Sequence, residues 1–462
     1  MNKGIVPGSF RDPSGFLFFK EGVLYRQVNN RYRKDFEMLV QSGLYDRLVE
    51  SGLLVPHQSV DLSLKSTEDA YTIIRPKKIP FISYPYEWSF SQLKDAALLT
   101  LEILKLSLEF GMLLKDASNY NVQFMKGRPI FIDTLSFESY QENQPWIAYR
   151  QFCEHFLTPL ALMQHVDPLM NKLLRTNIDG IPLELTAKIL PFRARLNLRF
   201  FPHIFLHARS KKHYADRNTK PKKIKFTKLA LKGFIDGLQT TVQSIKWKSQ
   251  NTEWGDYYSD TNYTQQAHEN KKEIVTSFLE MSAPNIVWDL GANDGTFSRI
   301  ASELGKETVS FDYDPVAIEK SYRFVKKNKE EKILPLLLDL NNPSPDIGWD
   351  NSERESLRSR GPCDTLMALA LVHHLAISNN VPLDRVAKFF AGLCRWLIIE
   401  WVPKEDSQVK RLLSTREDIF PSYTQDGFEI AFEKYFKTLA SKKVNNSLRI
   451  LYLFKTRPST SM

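Results

Sequence analysis

The residues whose types and spacing could do chemistry meet at one point of the chain, where an apolar run ends at an acid and breaks into glycines. Asp289 closes the run, and Gly291, Asn293 and Gly295 follow before 297–304, which has helical character. Glycine lets backbone approach a ligand where a Cβ would clash, and the first turn of a helix presents N–H donors. The pattern predicts a buried strand, a turn that holds a nucleotide-like cofactor, and a helix.

A second acid follows at a distance that suits the sugar of such a cofactor. The apolar run 308–311 ends at Asp312, about 20 residues after the glycines, where open α/β sheets hold a ribose diol with a carboxylate. This much fits any adenosine-containing cofactor, NAD included. A role for Asp312 as the cap of the next helix stays open.

The residue types at the turn discriminate between cofactors. A dinucleotide turn is Gly-x-Gly-x-x-Gly, so that a pyrophosphate sits on the helix, whereas this turn is Asp-x-Gly-x-Asn-x-Gly and starts at Asp289. An acid before the turn suits an amino group and repels a pyrophosphate. The stretch resembles motif I of class I S-adenosylmethionine-dependent methyltransferases.

Three later segments resemble the same family in the same order. Residues 333–338, which end at Asp339, are similar to the strand beside the adenine, although Asp339 could also be a simple turn residue. Residues 363–375 resemble the family's fourth-strand motif, and 396–401 resemble its fifth strand. These motifs do not name the methyl acceptor or the atom that is attacked.

The resemblance implies an α/β fold with a Rossmann-like class I methyltransferase sheet over 254–462, closed by an antiparallel hairpin from 429–439 and 448–454. The loops 341–345 and 402–406 are similar to those of bacterial proteins related to the nodulation protein NoeA. No metal is expected. The cofactor, S-adenosyl-L-methionine, is expected to contact the motif residues, namely Asp289, Gly291, Asn293, Gly295, Asp312 and Asp339.

Methyl transfer is a displacement at a sulfonium methyl, so the protein mainly positions the reactants and supplies a base where the nucleophile carries a proton. Candidates follow the fourth and fifth strands, because open α/β sheets bind ligands at the carboxyl ends of their strands. His373 and His374 are the candidate bases, with packing before the next helix as the alternative. Glu400 is the candidate for orienting the substrate.

A second centre lies in the N-terminal half, at Asp116, Asn121 and Asp133. Asp116 and Asn121 have the spacing of a catalytic base and a metal-binding asparagine, and Asp133 follows a β-run, as a second metal-binding acid does. The segment resembles the catalytic loop of protein kinases and aminoglycoside-type phosphotransferases. The resemblance implies a kinase-like α+β domain over 1–206 and a site for Mg-ATP.

The predicted elements upstream fit that order, with a hairpin at 15–28, a helix at 32–51, strands at 71–74 and 79–84, and a long helix at 91–114. The residue types at two places in the predicted ATP site differ from those of the family.

Arg26 stands where a phosphate-binding lysine is expected, and Thr134-Leu135 follow Asp133. Arginine does not replace such a lysine conservatively. A helix-capping acid and an asparagine in a turn remain the simpler interpretation.

Length and composition set the remaining bounds. With 462 residues, 42% of them hydrophobic, the chain is expected to form two domains. The helix at 91–114 carries charged residues, which disfavours a membrane span. The three cysteines lack metal-ligand or disulfide spacing, and a cytoplasmic location is expected.

The net charge of +10 is concentrated in 207–253, a predicted basic linker. A nucleic-acid contact is conceivable there, but a solvated connector is favoured because no aromatic residues alternate with the charges. Within 207–232, ten basic residues face a single acid, Asp216; they are Arg209, Lys211, Lys212, Arg217, Lys220, Lys222, Lys223, Lys225, Lys228 and Lys232.

The sequence therefore predicts a methyltransferase acting on an unidentified acceptor, with the kinase-like domain positioning that substrate. Two alternatives stay open. One is a phosphotransferase or ATP-binding module with the methyltransferase fold as a sensor, and the other is a non-catalytic ligand-binding protein.

Overall fold

The computed structural model describes residues 4–197, 199–207, 226–247, 264–414 and 416–458. Contacts divide the chain into two compact units. The first unit comprises residues 1–248 together with 346–354, and the second comprises 249–345 and 355–462. Residues 208–225, which hold eight of the ten basic residues named in the predicted linker, lie outside the described residues, so the nucleic-acid hypothesis stays a prediction.

The first unit is built around an antiparallel sheet with the strand order β1-β2-β3-β5-β4. Its strands are β1 (Gly4–Ile5), β2 (Gly15–Lys20), β3 (Val23–Asn29), β4 (His57–Val60) and β5 (Ala70–Pro76). Two short strand pairs follow, β6 with β9 and β7 with β8, formed by β6 (Met112–Leu114), β7 (Val122–Met125), β8 (Arg128–Phe131) and β9 (Phe137–Ser139).

The helices of the first unit include one long helix, α3, whose N-cap Ser89 accepts a hydrogen bond from the Gln92 N–H. They are α1 (Arg33–Gln41), α2 (Leu44–Glu50), α3 (Phe90–Glu109), α4 (Tyr149–Phe152), α5 (Thr158–His165), α6 (Leu173–Thr176), α7 (Leu183–Ile189), α8 (Phe192–Arg195) and α9 (Lys228–Ser244).

Two predicted elements of this unit are different in the structure. The helix predicted at 32–51 is split into α1 and α2, because Gly43 has a left-handed φ of 82°. The strand predicted at 79–84 is irregular. The side chain of Gln123 bonds the Ser83 N–H and C=O, each at 2.9 Å, so a side chain takes the place of a neighbouring strand.

Part of the predicted linker is a folded element of the first unit. Helix α9 packs on α3, where Lys105 pairs with Asp236 at 2.6 Å and the Lys94 ammonium donates to the Ile245 carbonyl at 2.7 Å. The boundary predicted at 206 therefore falls before the last helix of the first unit. The linker was predicted from its excess of basic residues, and that criterion did not reveal the amphipathic helix α9 toward its C-terminal end.

A short segment from late in the chain, 346–354, also belongs to the first unit. Ile347 and Arg354 form an antiparallel bridge that closes it into a loop. Glu353 accepts two hydrogen bonds from the Arg11 guanidinium, at 2.6 and 2.9 Å, and the Arg354 guanidinium lies 4.1 Å from the centre of the Tyr120 ring. Residues far apart in sequence thus complete this unit.

The second unit is a seven-stranded sheet with the order β12-β11-β10-β13-β14-β16-β15, in which β10 to β14 are parallel. The order runs in opposite directions from β10, which makes the carboxyl ends of β10 and its neighbours a ligand-binding crevice. The strands are β10 (Ile286–Leu290), β11 (Glu307–Asp312), β12 (Ile333–Leu337), β13 (Cys363–Ala368), β14 (Cys394–Trp401), β15 (Phe436–Lys443) and β16 (Ile450–Thr456).

The helices that cover this sheet are α10 (Gln265–Ser282), α11 (Thr296–Glu303), α12 (Pro315–Asn328), α13 (Leu383–Ala391), α14 (Ser407–Leu413) and α15 (Gln425–Glu433). The predicted α/β fold with a Rossmann-like sheet and a closing antiparallel hairpin is confirmed. The hairpin begins later than predicted, because 429–433 is the end of α15, whose Phe428, Ala431 and Phe432 are buried at helical spacing.

None of the described helices combines the length and the apolar character that a membrane crossing requires.

Candidate cofactor and active site

A cavity of about 550 Å³ opens at the carboxyl ends of β10 to β13 in the second unit. This volume lies within the range of small-molecule sites. Both polar and apolar side chains line it. The polar ones include Lys271, Asp289, Asn293, Asp312, Asp339 and Asn341, and the apolar ones include Phe297, Leu369, Leu371, Leu375 and Leu412.

The glycine turn has the geometry that its residue types predict. Gly291 and Gly295 have φ values of 74° and 86°, and Asn293 has 51°, all in the left-handed region that favours glycine and tolerates asparagine. A Cβ built on Gly291 would lie 3.3 Å from a Leu371 methyl. Backbone therefore lines the cavity at Gly291, where a side chain would be strained by the left-handed φ and would press on Leu371, while Gly295 begins helix α11 behind it.

Asp312 ends β11 at the edge of the cavity and is 7% exposed. Its two carboxylate oxygens accept the backbone N–H groups of Asn293 at 2.8 Å and Asp314 at 2.9 Å. Burial raises the pKa of Asp312 to about 6. A carboxylate oxygen can accept more than one hydrogen bond, so this fixed carboxylate fits a ribose diol, and the helix cap is Asp314 instead.

Asp289 ends the neighbouring strand and is 1% exposed. The Ser298 hydroxyl donates to it at 2.6 Å. Burial raises the pKa of Asp289 to about 7, and the nearby Asp312 adds to that effect. Two buried acids on adjacent strands thus face one cavity, which favours a ligand that carries positive charge.

Asp339 lies after β12, on the far side of Asp312, and it is half-buried at the cavity wall. Its carboxylate accepts the Asn341 N–H at 2.9 Å. The residue is therefore both a turn residue and part of the cavity wall.

Of the two candidate histidines, only His374 contributes to the cavity wall. Burial lowers its pKa to about 4, so the imidazole is neutral at pH 7. His373 is completely buried behind it, with ring centres 4.1 Å apart, and neither ring nitrogen of His373 has a partner among the described residues. The geometry thus gives access to His374 and not to His373.

Glu400 is also buried behind the cavity wall, where it joins three elements. Lys271 of α10 pairs with it at 2.6 Å, the Ala370 N–H after β13 donates to it at 2.7 Å, and Arg449 lies 3.6 Å away. Arg449 in turn bonds Asp406 at 2.8 Å. The predicted substrate-orienting acid is the centre of a buried charge network.

Sequence reasoning missed Lys271, which lies at the cavity wall. One signal was present. On α10 the lysine shares the buried face with Ala267, Ile274, Val275 and Phe278. A lysine in the middle of a helix's apolar face needs a buried partner.

The second predicted centre, in the first unit, is brought together by hydrogen bonds. Asn121 donates to the Ser136 hydroxyl at 3.1 Å, and Ser136 donates to Asp133. Asp116 accepts from the Gln151 amide at 2.8 Å; burial raises its pKa, and the nearby Asp133 adds to the shift.

Asp133 is also paired with the guanidinium of Arg26 from β3. This arginine therefore supplies, from within the chain, positive charge at the predicted metal-binding acid. Mg-ATP binding at this centre stays a prediction.

Comparison with known proteins gives one relative of nearly full length. The chain is 37% identical to the nodulation protein NoeA of Rhizobium meliloti (strain 1021) over 470 residues, which covers 98% of this chain and 96% of that protein. No protein-family model matches the chain.

Solved structures match parts of the chain at low TM-scores. The bifunctional kinase-methyltransferase WbdD matches at 14% identity and a TM-score of 0.32, over 43% of this chain and 41% of that protein, which is less than half of its length. Magnesium protoporphyrin IX methyltransferase of Synechocystis PCC 6803, with bound SAH, has 14% identity and a TM-score of 0.32, over 44% and 93% of the two chains. The N-methyltransferase NodS of Bradyrhizobium japonicum WM9 has 9% identity and a TM-score of 0.30, over 42% and 98%. The fold assignment rests on the strand order itself.

Proposed function

The chain belongs to the family of the nodulation protein NoeA, and from this premise we propose that it is an S-adenosylmethionine-dependent methyltransferase with its cofactor in the cavity of the second unit. One observation carries the proposal. Two buried acids, Asp289 and Asp312, lie at the carboxyl ends of adjacent parallel strands, on either side of a glycine turn whose left-handed Gly291 leaves little room for a side chain.

The residues fit the parts of this cofactor in order along the sheet edge. Asp339 follows β12, Asp312 ends β11 and Asp289 lies in β10, and neighbouring strands are about 4.8 Å apart. The adenine, the ribose and the amino group of one extended ligand are accordingly assigned to these three acids. A pyrophosphate is excluded, because it would lie against the carboxylate of Asp289.

When bound, S-adenosylmethionine supplies an activated methyl group on a sulfonium. The chain's own residues hold the reactants and keep water away. Leu371, Leu375 and Leu412 are apolar residues of the cavity wall, and His374 is one of the polar side chains that also line it. The neutral imidazole accepts a hydrogen bond from the nucleophile and orients it, whereas a pKa of about 4 makes it a weak base.

The first unit is assigned a role in binding or positioning the acceptor. What supports this assignment over phosphotransfer is the pair between Arg26 and Asp133, because a metal ion would have to displace the guanidinium. The acceptor itself and the attacked atom are left unassigned.

Calorimetry of S-adenosylmethionine binding to the full chain tests the proposal, which also predicts how the affinity changes with pH. The pKa values of Asp289 and Asp312 are raised to about 7 and about 6, so both acids are largely protonated at pH 5.5. The ligand's ammonium requires the ionised form of Asp289. Affinity should therefore increase about tenfold or more from pH 5.5 to 8, with proton release on binding near pH 6.5.

Two buffers with different ionisation enthalpies measure that proton release directly. No binding at any pH would remove the proposed function. An affinity that is constant over this range would contradict the assignment of the two acids.

Gly291→Ala is expected to weaken S-adenosylmethionine binding by about tenfold, or about 1.4 kcal/mol. The new methyl would lie 3.3 Å from Leu371 at the cavity wall. Gly305→Ala is the matched control, because Gly305 has a similar φ of 80° with nothing within 4 Å of a new Cβ. Both variants carry the backbone strain of about 1–2 kcal/mol. Equal affinities in the two variants would show that Gly291 does not face the ligand.

A further inference from the structure

Acidic side chains outnumber lysine and arginine side chains at the described cavity wall. Among the described residues that line it, Asp289, Asp312 and Asp339 are acids, while Lys271 is the one lysine or arginine. S-adenosylmethionine carries an ammonium and a carboxylate on the same carbon. An acid can bind the ammonium, but the carboxylate needs a cation, and a fully desolvated carboxylate without one is costly.

The position of Lys271 along the sheet edge suits that carboxylate. Its ammonium contacts Glu400 at the end of β14, on the opposite side of Asp289 from Asp312. It also lies 4.7 Å from the centre of the Phe297 ring, which is part of the cavity wall. The groups along the edge are therefore ordered as Asp339, Asp312, Asp289 and Lys271, and the amino-acid end of the ligand lies at the last two.

The buried network fixes the direction of the lysine side chain. Burial lowers the pKa of Lys271 below its ordinary value, and the adjacent Glu400 offsets part of that shift. Glu400 is itself fixed by the Ala370 N–H and by Arg449, so it sets where the ammonium points. An ammonium has three N–H donors and can serve two carboxylates at once.

We propose that Lys271 is a specificity-determining residue that binds the α-carboxylate of the cofactor's methionine while Asp289 binds its α-ammonium. The site then selects a zwitterionic amino-acid end, and discriminates against nucleosides that lack one. The proposal rests on the proposed function, because it assigns a residue within the same cofactor site.

The test compares two ligands in two lysine variants of the full chain. S-adenosylmethionine has the carboxylate, and decarboxylated S-adenosylmethionine keeps the ammonium and the sulfonium without it. A hydrogen bond to a charged group contributes about 1.5–3 kcal/mol, so calorimetry of the wild type should give a preference of roughly 10- to 150-fold for the carboxylate. In Lys271→Met this preference should fall to about one- to threefold.

Lys272→Met is the matched control. Lys272 is the next residue on α10, is 34% exposed and pairs with Glu269 at 3.0 Å. Its variant should keep the full preference for the carboxylate. Lys271→Gln, which retains a donor for Glu400, is the second variant and should lower the preference at least threefold if Lys271→Met does not fold.

The outcomes separate this inference from the proposed function. A wild type that binds neither ligand removes the methyltransferase assignment. A wild type that binds both ligands equally, or a Lys271→Met or Lys271→Gln variant that keeps the wild-type preference, overturns the role of Lys271 and leaves the assignment standing.

Discussion

Glu400→Ala is expected to lower the local unfolding free energy around β14 by about 3–5 kcal/mol, because it leaves a buried ion pair without its acid. Lys271 and Arg449 are both nearly inaccessible, and both face Glu400. The variant also removes the acceptor of the Ala370 N–H at the cavity wall. We therefore expect both the stability of the sheet edge and the shape of the cofactor site to suffer.

Hydrogen exchange of the full chain measures this effect locally, on peptides that cover α10 and β14. A local measurement is needed because a chain with two units does not unfold in one two-state step. Glu405→Ala is the control, since Glu405 is an exposed acid shortly after the same strand, and it should change stability by less than about 0.5 kcal/mol.

The result also decides what Glu400 does. An acid that only orients a substrate could be removed with loss of turnover and with little change in stability. A change in local unfolding free energy below about 1 kcal/mol would therefore contradict the structural role, and would return Glu400 to the candidate catalytic residues.

Asp312→Ala is expected to weaken S-adenosylmethionine binding by at least 100-fold. Two backbone N–H groups hold its carboxylate. In the proposed complex this carboxylate accepts hydrogen bonds from both ribose hydroxyls. Two charge-assisted hydrogen bonds at about 1.5–3 kcal/mol each correspond to a loss of about 3 kcal/mol or more. Calorimetry at pH 8, where the acid is ionised, measures the loss.

Asp364→Ala is the matched control for this variant. Asp364 also accepts two backbone N–H groups, from Asn285 at 2.9 Å and Ile286 at 3.1 Å, but at the opposite edge of the sheet. The Asp364→Ala variant should have a lower unfolding free energy than the wild type and an unchanged affinity for S-adenosylmethionine. A similar loss of affinity in both variants would indicate a general weakening of the sheet in place of a lost ribose contact.

Stability should respond to pH in a direction that the raised pKa dictates. Burial raises the pKa of Asp312 to about 6 in the folded state, so the folded protein binds this proton more tightly than the unfolded chain does. The stabilisation of the folded state by the proton bound to Asp312 is present at low pH and is lost as the pH rises through about 6. The difference in unfolding free energy between the Asp312→Ala variant and the wild type should therefore shrink from about pH 4 to about pH 6, between the ordinary aspartate pKa and that of buried Asp312.

From the sequence, we could predict those features of the candidate site that are local in the chain. The turn from Asp289 to Gly295 and the acid at Asp312 depend on residue types within a single β-α-β unit, where the strand pattern fixes which end of the sheet they share. The strand order and the closing hairpin followed from the family resemblance carried by those motifs.

The remaining features of the candidate site depend on contacts between residues that are far apart in the sequence. Lys271 and Glu400 are separated by 129 positions, and nothing near either residue indicates its partner. Buried charges of this kind become visible only once helix α10 and strand β14 are placed together. For the same reason, the sequence indicated only a substrate-orienting role for Glu400 and not its place in a buried charge network.

The loop 346–354 imposes an order on how this protein can be made. The first unit lacks a part until residue 354 has left the ribosome, because Glu353 and Arg354 are the partners of Arg11 and Tyr120. By then β10, β11 and β12 of the second unit have already been synthesised. Domains normally fold one after the other during synthesis. Here the first unit can be completed only while the second is partly built, so a gene truncated at the apparent domain boundary would encode an incomplete first unit.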